Sequence, residues 1–289
     1  MREFEPLLGG LCFPEAPRWR DGRLFFSDMH AHWIMSVDET GESERIAEIG
    51  QQPSGIGWRP DGTMLVVSMV DRKVLALNGG ERWAVADLCD LATGHCNDMV
   101  VDRKGRAYVG NFGFDLHAPG VALTPDIMPT LPKADLVMID ADDRVRVAAT
   151  GLAFPNGMVV TPDGGTLIVA ETMAGRLTAF DVAEDGSLHR RRSWAELDGL
   201  APDGICLDEA GGIWVASPFS NECLRVEEGG SVTHRIAADR GCFACMLGGA
   251  DGRTLFACTA AEFEPARARA LMAGRIERAS APFARAGLP

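Results

Sequence analysis

The stretch "AFPNGMVVTPDGGTLIVAET", residues 153–172, reads as two apolar runs joined by a "TPDGG" turn, a hairpin with one oddity. A short polar amide, Asn156, stands where the first strand begins. Repetition gives that residue its meaning. Five other stretches share the form: "FPEAPRWRDGRLFFSDM", "QPSGIGWRPDGTMLVVSM", "HCNDMVVDRKGRAYVGNF", "APDGICLDEAGGIWVAS" and "CFACMLGGADGRTLFACTA". Their turn glycines are Gly22, Gly62, Gly105, Gly164, Gly211 and Gly252, spaced by 40, 43, 59, 47 and 41 residues. A third apolar run follows each hairpin, as in "WIMSVD", "KVLALN" and "RLTAFD". Units of several strands at a period in the forties predict propeller blades. The expected fold is therefore all-β, a six-bladed β-propeller with four-stranded antiparallel blades around a central channel, one domain over residues 1–289.

Two features depart from the bare repeat. The N-terminal "REFEPLL" precedes the first unit and has the length of one strand, so it is expected to supply the outer strand of the last blade and cover an open edge. The long spacing of 59 residues reflects an insertion in blade three, at about 113–133, whose Pro, His and Asp content suits a loop.

Counting back from the turn glycines places Asn156. Ser54, Asn97, Asn156, Asp203 and Ala244 lie eight residues before their glycines, and Glu15 lies seven before its own. The innermost strand of each blade lines the channel, so these positions form a ring about the axis. Four of the six, Glu15, Asn97, Asn156 and Asp203, offer oxygen ligands, and two of those are carboxylates. An oxygen set without thiolate or imidazole suits a hard divalent cation, and two converging carboxylates repel unless a cation lies between them. The competing reading is a polar ring that lines a wet channel.

Composition narrows the partners. The chain has 289 residues, 46% of them hydrophobic, and a net charge of −13, which argues against nucleic acid or an anionic membrane surface. No apolar run reaches the roughly 18 residues that span a bilayer, and the N-terminus lacks a signal-peptide pattern, so a cytoplasmic location is expected. The eight cysteines then read as reduced, mostly buried thiols. Cys242 and Cys245 form a C-x-x-C, but on a regular strand residues i and i+3 face opposite ways, so a packing role is expected. His30 and His32 are assigned to the rim or surface. No G-x-S-x-G nucleophile motif is present.

The segments "FPEAPRW", "CNDMVVDRKGRAYVGNFGFD", "FPNGMVVTPDGGTLIVAET" and "PDGICLDEAGGIWVA" resemble the SMP-30/gluconolactonase/LRE-like (regucalcin) family, in order and spacing along essentially the whole chain. The resemblance implies a six-bladed propeller with one divalent cation in the channel, Ca2+ first, with Zn2+, Mn2+, Mg2+ and Fe2+ as alternatives. It implies ligation by Glu15, Asn156 and Asp203, with Asn97 beside the metal and touching substrate. It also implies that Asp203 is the acid/base residue of lactone hydrolysis. Two substrate-binding positions carry over with changes: His95 stands where sugar-lactone members have arginine, and Asp115 where they have glutamate. The expected partner is a small-molecule lactone or ester. The alternatives are cleavage of an organophosphate or another ester on the same scaffold, and a non-catalytic metal-binding propeller that docks proteins.

Overall fold

The structure, a computed structural model, describes residues 2–116, 124 and 127–289. Among these residues the strands form six sheets, each built on four antiparallel strands, in the order of a six-bladed β-propeller. Burial explains the sequence of a blade. In blade two the inner strands Pro53–Trp58 and Met64–Ser68 are almost wholly buried. The third strand, Lys73–Asn78, alternates, and the outermost, Glu81–Asp87, is mostly exposed. Inner strands are sandwiched between neighbouring blades on both faces, so they need continuous apolar runs rather than alternation. Aromatic contacts fill the seams, with Trp19 stacked on Phe256 at 5.2 Å between blades one and six and Phe25 edge-on to Trp58 at 5.1 Å between blades one and two.

The six turn glycines all have positive φ, between 73° and 88°. That left-handed backbone carries no Cβ penalty at glycine, which is why the hairpin signal is regular enough to count.

The ring closes through the N-terminus, three residues later than the sequence pattern suggests. Glu5–Leu11 pairs antiparallel with Gly274–Ser280 as the outer strand of blade six. Arg2–Glu3 instead pairs parallel with Val232–Ala237 on the outer edge of blade five. The C-terminal end adds an element that the repeats do not announce. Arg285–Ala286 pairs with the inner strand Ile205–Asp208, and Leu288 exchanges two backbone hydrogen bonds with Val160, at 2.8 and 2.9 Å. Val160 ends the strand Pro155–Val160, so this tail joins the inner strands of blades five and four at the end away from the ring. No helix among the described residues is long and apolar enough to cross a membrane.

Candidate active site

The inner strands do not run regularly through the ring. Strand pairing is irregular between Glu15 and Arg18, Pro53 and Ile56, Cys96 and Met99, Pro155 and Met158, and Cys242 and Ala244. A β-bulge re-aims the side chain it carries, and here it recurs at the ring level. Glycine follows the ring residue in three blades. A Cβ on Gly157 would lie 2.5 Å from the Ile205 nitrogen, and one on Gly204 would lie 2.5 Å from the Ala244 Cβ. The innermost backbones thus come closer than any larger residue permits, and the ring is small enough for its side chains to meet.

They meet through hydrogen bonds that run in one direction. Ser54 Oγ donates to Asn97 Oδ1 at 3.0 Å, Asn97 Nδ2 to Asn156 Oδ1 at 2.9 Å, and Asn156 Nδ2 to Asp203 Oδ1. All four residues are buried. Glu15, half-buried, accepts from the Ala16 backbone N–H at 2.9 Å. Burial pushes its carboxyl up to about 8, and the nearby Asp98 charge adds to the effect. Asp203 is also pushed well above the usual carboxylate range, first by burial and then by the charge of Glu15. The two acids cannot both ionise cheaply unless positive charge joins them. Below the ring, Arg18 reaches from blade one to blades two and three, donating to Ile56 O at 2.9 Å, Asp98 Oδ1 at 2.7 Å and Met99 O at 2.6 Å.

Above the ring opens a cavity of about 810 Å³, its mouth included. Glu15, Asn97, Asn156 and Asp203 form its floor, and His95 lies in its wall. Asp115 is exposed and lies outside that lining, so the structure does not bring it together with the other predicted residues. Much of the blade-three insertion, residues 117–123 and 125–126, lies outside the described residues. Of the rest, Leu116 lines the cavity, and Met128 and Leu131 pack against the cluster that holds Phe112, Phe154 and Met173.

Two expectations need correction. His30 is buried rather than on the rim: it stacks on Phe13 at 4.9 Å, its Nε2 lies 3.1 Å from the Phe263 carbonyl, and it lines the cavity. His32, in left-handed backbone, turns to the Gly50 carbonyl, so the pair shares no face. Second, the bulge between Cys242 and Ala244 removes one residue from the alternation. Cys242 and Cys245, opposite Thr259 and Ala257, therefore face the same way, and both approach Cys223. All eight cysteines are free thiols. Cys96 is buried, which pushes its thiol up to about 12. Among the described residues no three His, Cys, Asp or Glu side chains gather as a metal site, so the oxygen set of the ring depends on its amides.

Sequence reading missed Gln52, Thr172 and the apolar wall. Thr172 Oγ1 accepts from Asn156 Nδ2 at 3.2 Å and donates to Pro202 O at 2.8 Å. It directly follows its blade's second strand, as do Met29, Met69, Phe112 and Pro218, all of which line the cavity. The repeat held that signal, one residue beyond the second strand in five of the six blades.

A six-bladed propeller with converging carboxylates and amides at one end of its channel defines a class of small-molecule site. The SMP-30/Gluconolactonase/LRE-like region matches residues 13–261, and the chain belongs to that family. It is 26% identical over 260 residues to a 6-deoxy-6-sulfogluconolactonase of Pseudomonas putida, covering 86% of this chain and 83% of that one. It is 29% identical over 210 residues to the pentonolactonase XacC of Haloferax volcanii, covering 70% of this chain and 65% of the relative. A solved calcium-binding protein, regucalcin, from Agrobacterium tumefaciens superposes with a TM-score of 0.78 at 17% identity, over 99% of this chain and 96% of that one. That last likeness is one of fold.

Proposed function

We propose that this chain is a metal-dependent lactonase. The observation that carries the reading is the pairing of two mutually repelling carboxylates, half-buried Glu15 and buried Asp203, with the amides of Asn97 and Asn156 on the floor of one cavity. The lactonase names of the two relatives support the reaction class. The donor chemistry fits one hard divalent cation held by Glu15, Asn156 and Asp203, with Asn97 beside it. The name of the regucalcin neighbour favours Ca2+ among the candidates. When bound, the cation supplies Lewis acidity toward the lactone carbonyl.

The chain's own residues do the rest. Asn97 orients the lactone through its amide. The Asp203 carboxylate takes a proton from water as the water oxygen bonds to the acyl carbon. The ring C–O bond then breaks, and the same proton passes from Asp203 to the departing alkoxide. Water and lactone become one hydroxy acid, with no other reactant. Ser54 and Ala244, on either side of Glu15, contribute no charged ligand, so the protein set leaves coordination positions for water and substrate, as a catalytic site requires.

The test is acid release from a lactone panel by protein stripped of metal, verified by elemental analysis, and then reloaded with Ca2+ or Mn2+. Hydrolysis should vanish on stripping and return on reloading, while the β-sheet signal persists. Full turnover by verified metal-free protein would remove the metal from the mechanism.

A further inference from the structure

We infer that the substrate is an uncharged lactone with an apolar substituent, an aryl or branched alkyl group, rather than a polyhydroxylated or anionic sugar lactone. The inference rests on the lactonase reading and adds the chemistry of the group that the lactone ring carries.

Two aromatic pairs stand on opposite sides of the channel axis. Phe13 meets Phe243 edge-to-face at 4.7 Å across blades one and six. Phe112 meets Phe154 edge-to-face at 4.6 Å across blades three and four. In a ring of six blades these two seams face each other, so the pairs bound a slot directly above Asn97, Asn156 and Asp203. Met29, Met69 and Met173 fill the wall between them, and thioethers adapt to apolar shapes without offering strong hydrogen bonds. At the mouth Phe219 is 59% exposed and Phe263 41%, which extends the apolar surface to the solvent edge.

The polar groups near this slot are partly committed to the protein. The Thr172 hydroxyl already accepts and donates one hydrogen bond, and His30 Nε2 is taken by the Phe263 carbonyl. Sugar hydroxyls brought against the phenyl walls would lose water without replacement, which is unfavourable. No lysine or arginine lines the cavity among the described residues, so an anionic substituent would find no such side chain to pair with along the aromatic slot.

Backbone strain points the same way. Phe154 has φ of +57° although a proline follows it, a conformation bulky residues rarely adopt and one that persists only where surroundings enforce it. Here Glu171 Oε2 accepts from the Ala153 N–H at 2.8 Å, and Thr172 N–H donates to Phe154 O at 3.1 Å. The chain holds this ring toward the cavity against its own backbone preference.

The experiment uses the metal-loaded full chain with γ-butyrolactone, its phenyl-substituted derivative and gluconolactone. The phenyl derivative should exceed the unsubstituted lactone at least roughly tenfold in kcat/KM, the scale on which apolar pockets discriminate, and gluconolactone should fall below both. Phe243→Ala should lower the ratio of the phenyl derivative to the unsubstituted lactone, and so should Phe219→Ala, whose exposed side chain can be removed without opening the core. A preference for gluconolactone, equal rates with and without the phenyl group, or a ratio unmoved in both variants overturns the inference and leaves the lactonase standing. Inertness toward every lactone overturns both.

Discussion

Asn97 Nδ2 donates to Asn156 Oδ1 at 2.9 Å, a bond that crosses from blade three to blade four. It is the middle link of the line from Ser54 through Asn97 and Asn156 to Asp203. The line fixes which end of each amide faces its neighbour, because a swapped Asn156 would set its NH2 against the Asn97 NH2 and its oxygen against the Asp203 carboxylate. Asn97→Ala removes the link and the group proposed to orient substrate. KM should rise about tenfold, the scale of one or two hydrogen bonds, with a smaller change in kcat. Steady-state kinetics at saturating metal check it, and an equal fall in kcat at unchanged KM would assign Asn97 to the chemical step.

Glu171 gives a prediction about acid stability. Its side chain is fully buried and holds the Ala153 N–H, Thr178, Arg176 and Arg191. Burial raises the carboxyl pKa, but these partners together outweigh it and lower it below 4.5. A depressed folded pKa contributes stability that is present above the unfolded value and lost as pH falls through the folded one. Glu171→Gln should therefore cost about 2 kcal/mol at pH 7, as a buried charge-assisted set loses its acceptor. The difference in thermal midpoint from the parent should shrink as pH drops below about 4. A difference that stays constant with pH would mean that charge is not what Glu171 contributes.

The blade-three insertion should tune preference rather than metal binding. Leu116 reaches the cavity, and the turn Met128–Thr130 packs beside Thr172–Ala174. Replacing residues 117–132 with a short Gly-Ser linker should change relative rates across a lactone panel while metal affinity, measured by titration calorimetry, holds. Unchanged relative rates would make the segment a surface decoration.

The blades were legible because their turns repeat a local rule: each glycine must reach positive φ, and counting back from Gly164 finds Asn156 without any knowledge of contacts. The same count found Glu15, Asn97 and Asp203, which the fold gathers on one floor. What escaped depends on departures from regular strand geometry. The bulge before Ala244 turned Cys242 and Cys245 to one face, and the turn after Asp28 carried His30 inward, yet neither leaves a signature in residue type. The apolar wall escaped for another reason. Met29, Met69 and Phe112 look like ordinary core residues until the propeller brings their strand ends around one axis.

The most direct measurement is the turnover of Asp203→Asn at saturating metal. Asparagine keeps the size and one oxygen, so the cation should still bind, more weakly for the lost charge. The proton acceptor is gone, and general-base contributions are about 100- to 10,000-fold. Turnover should fall by at least about 100-fold, and raising Ca2+ or Mn2+ should not restore it. Near-native turnover at high metal concentration would contradict the account, reducing Asp203 to a ligand and placing the base elsewhere.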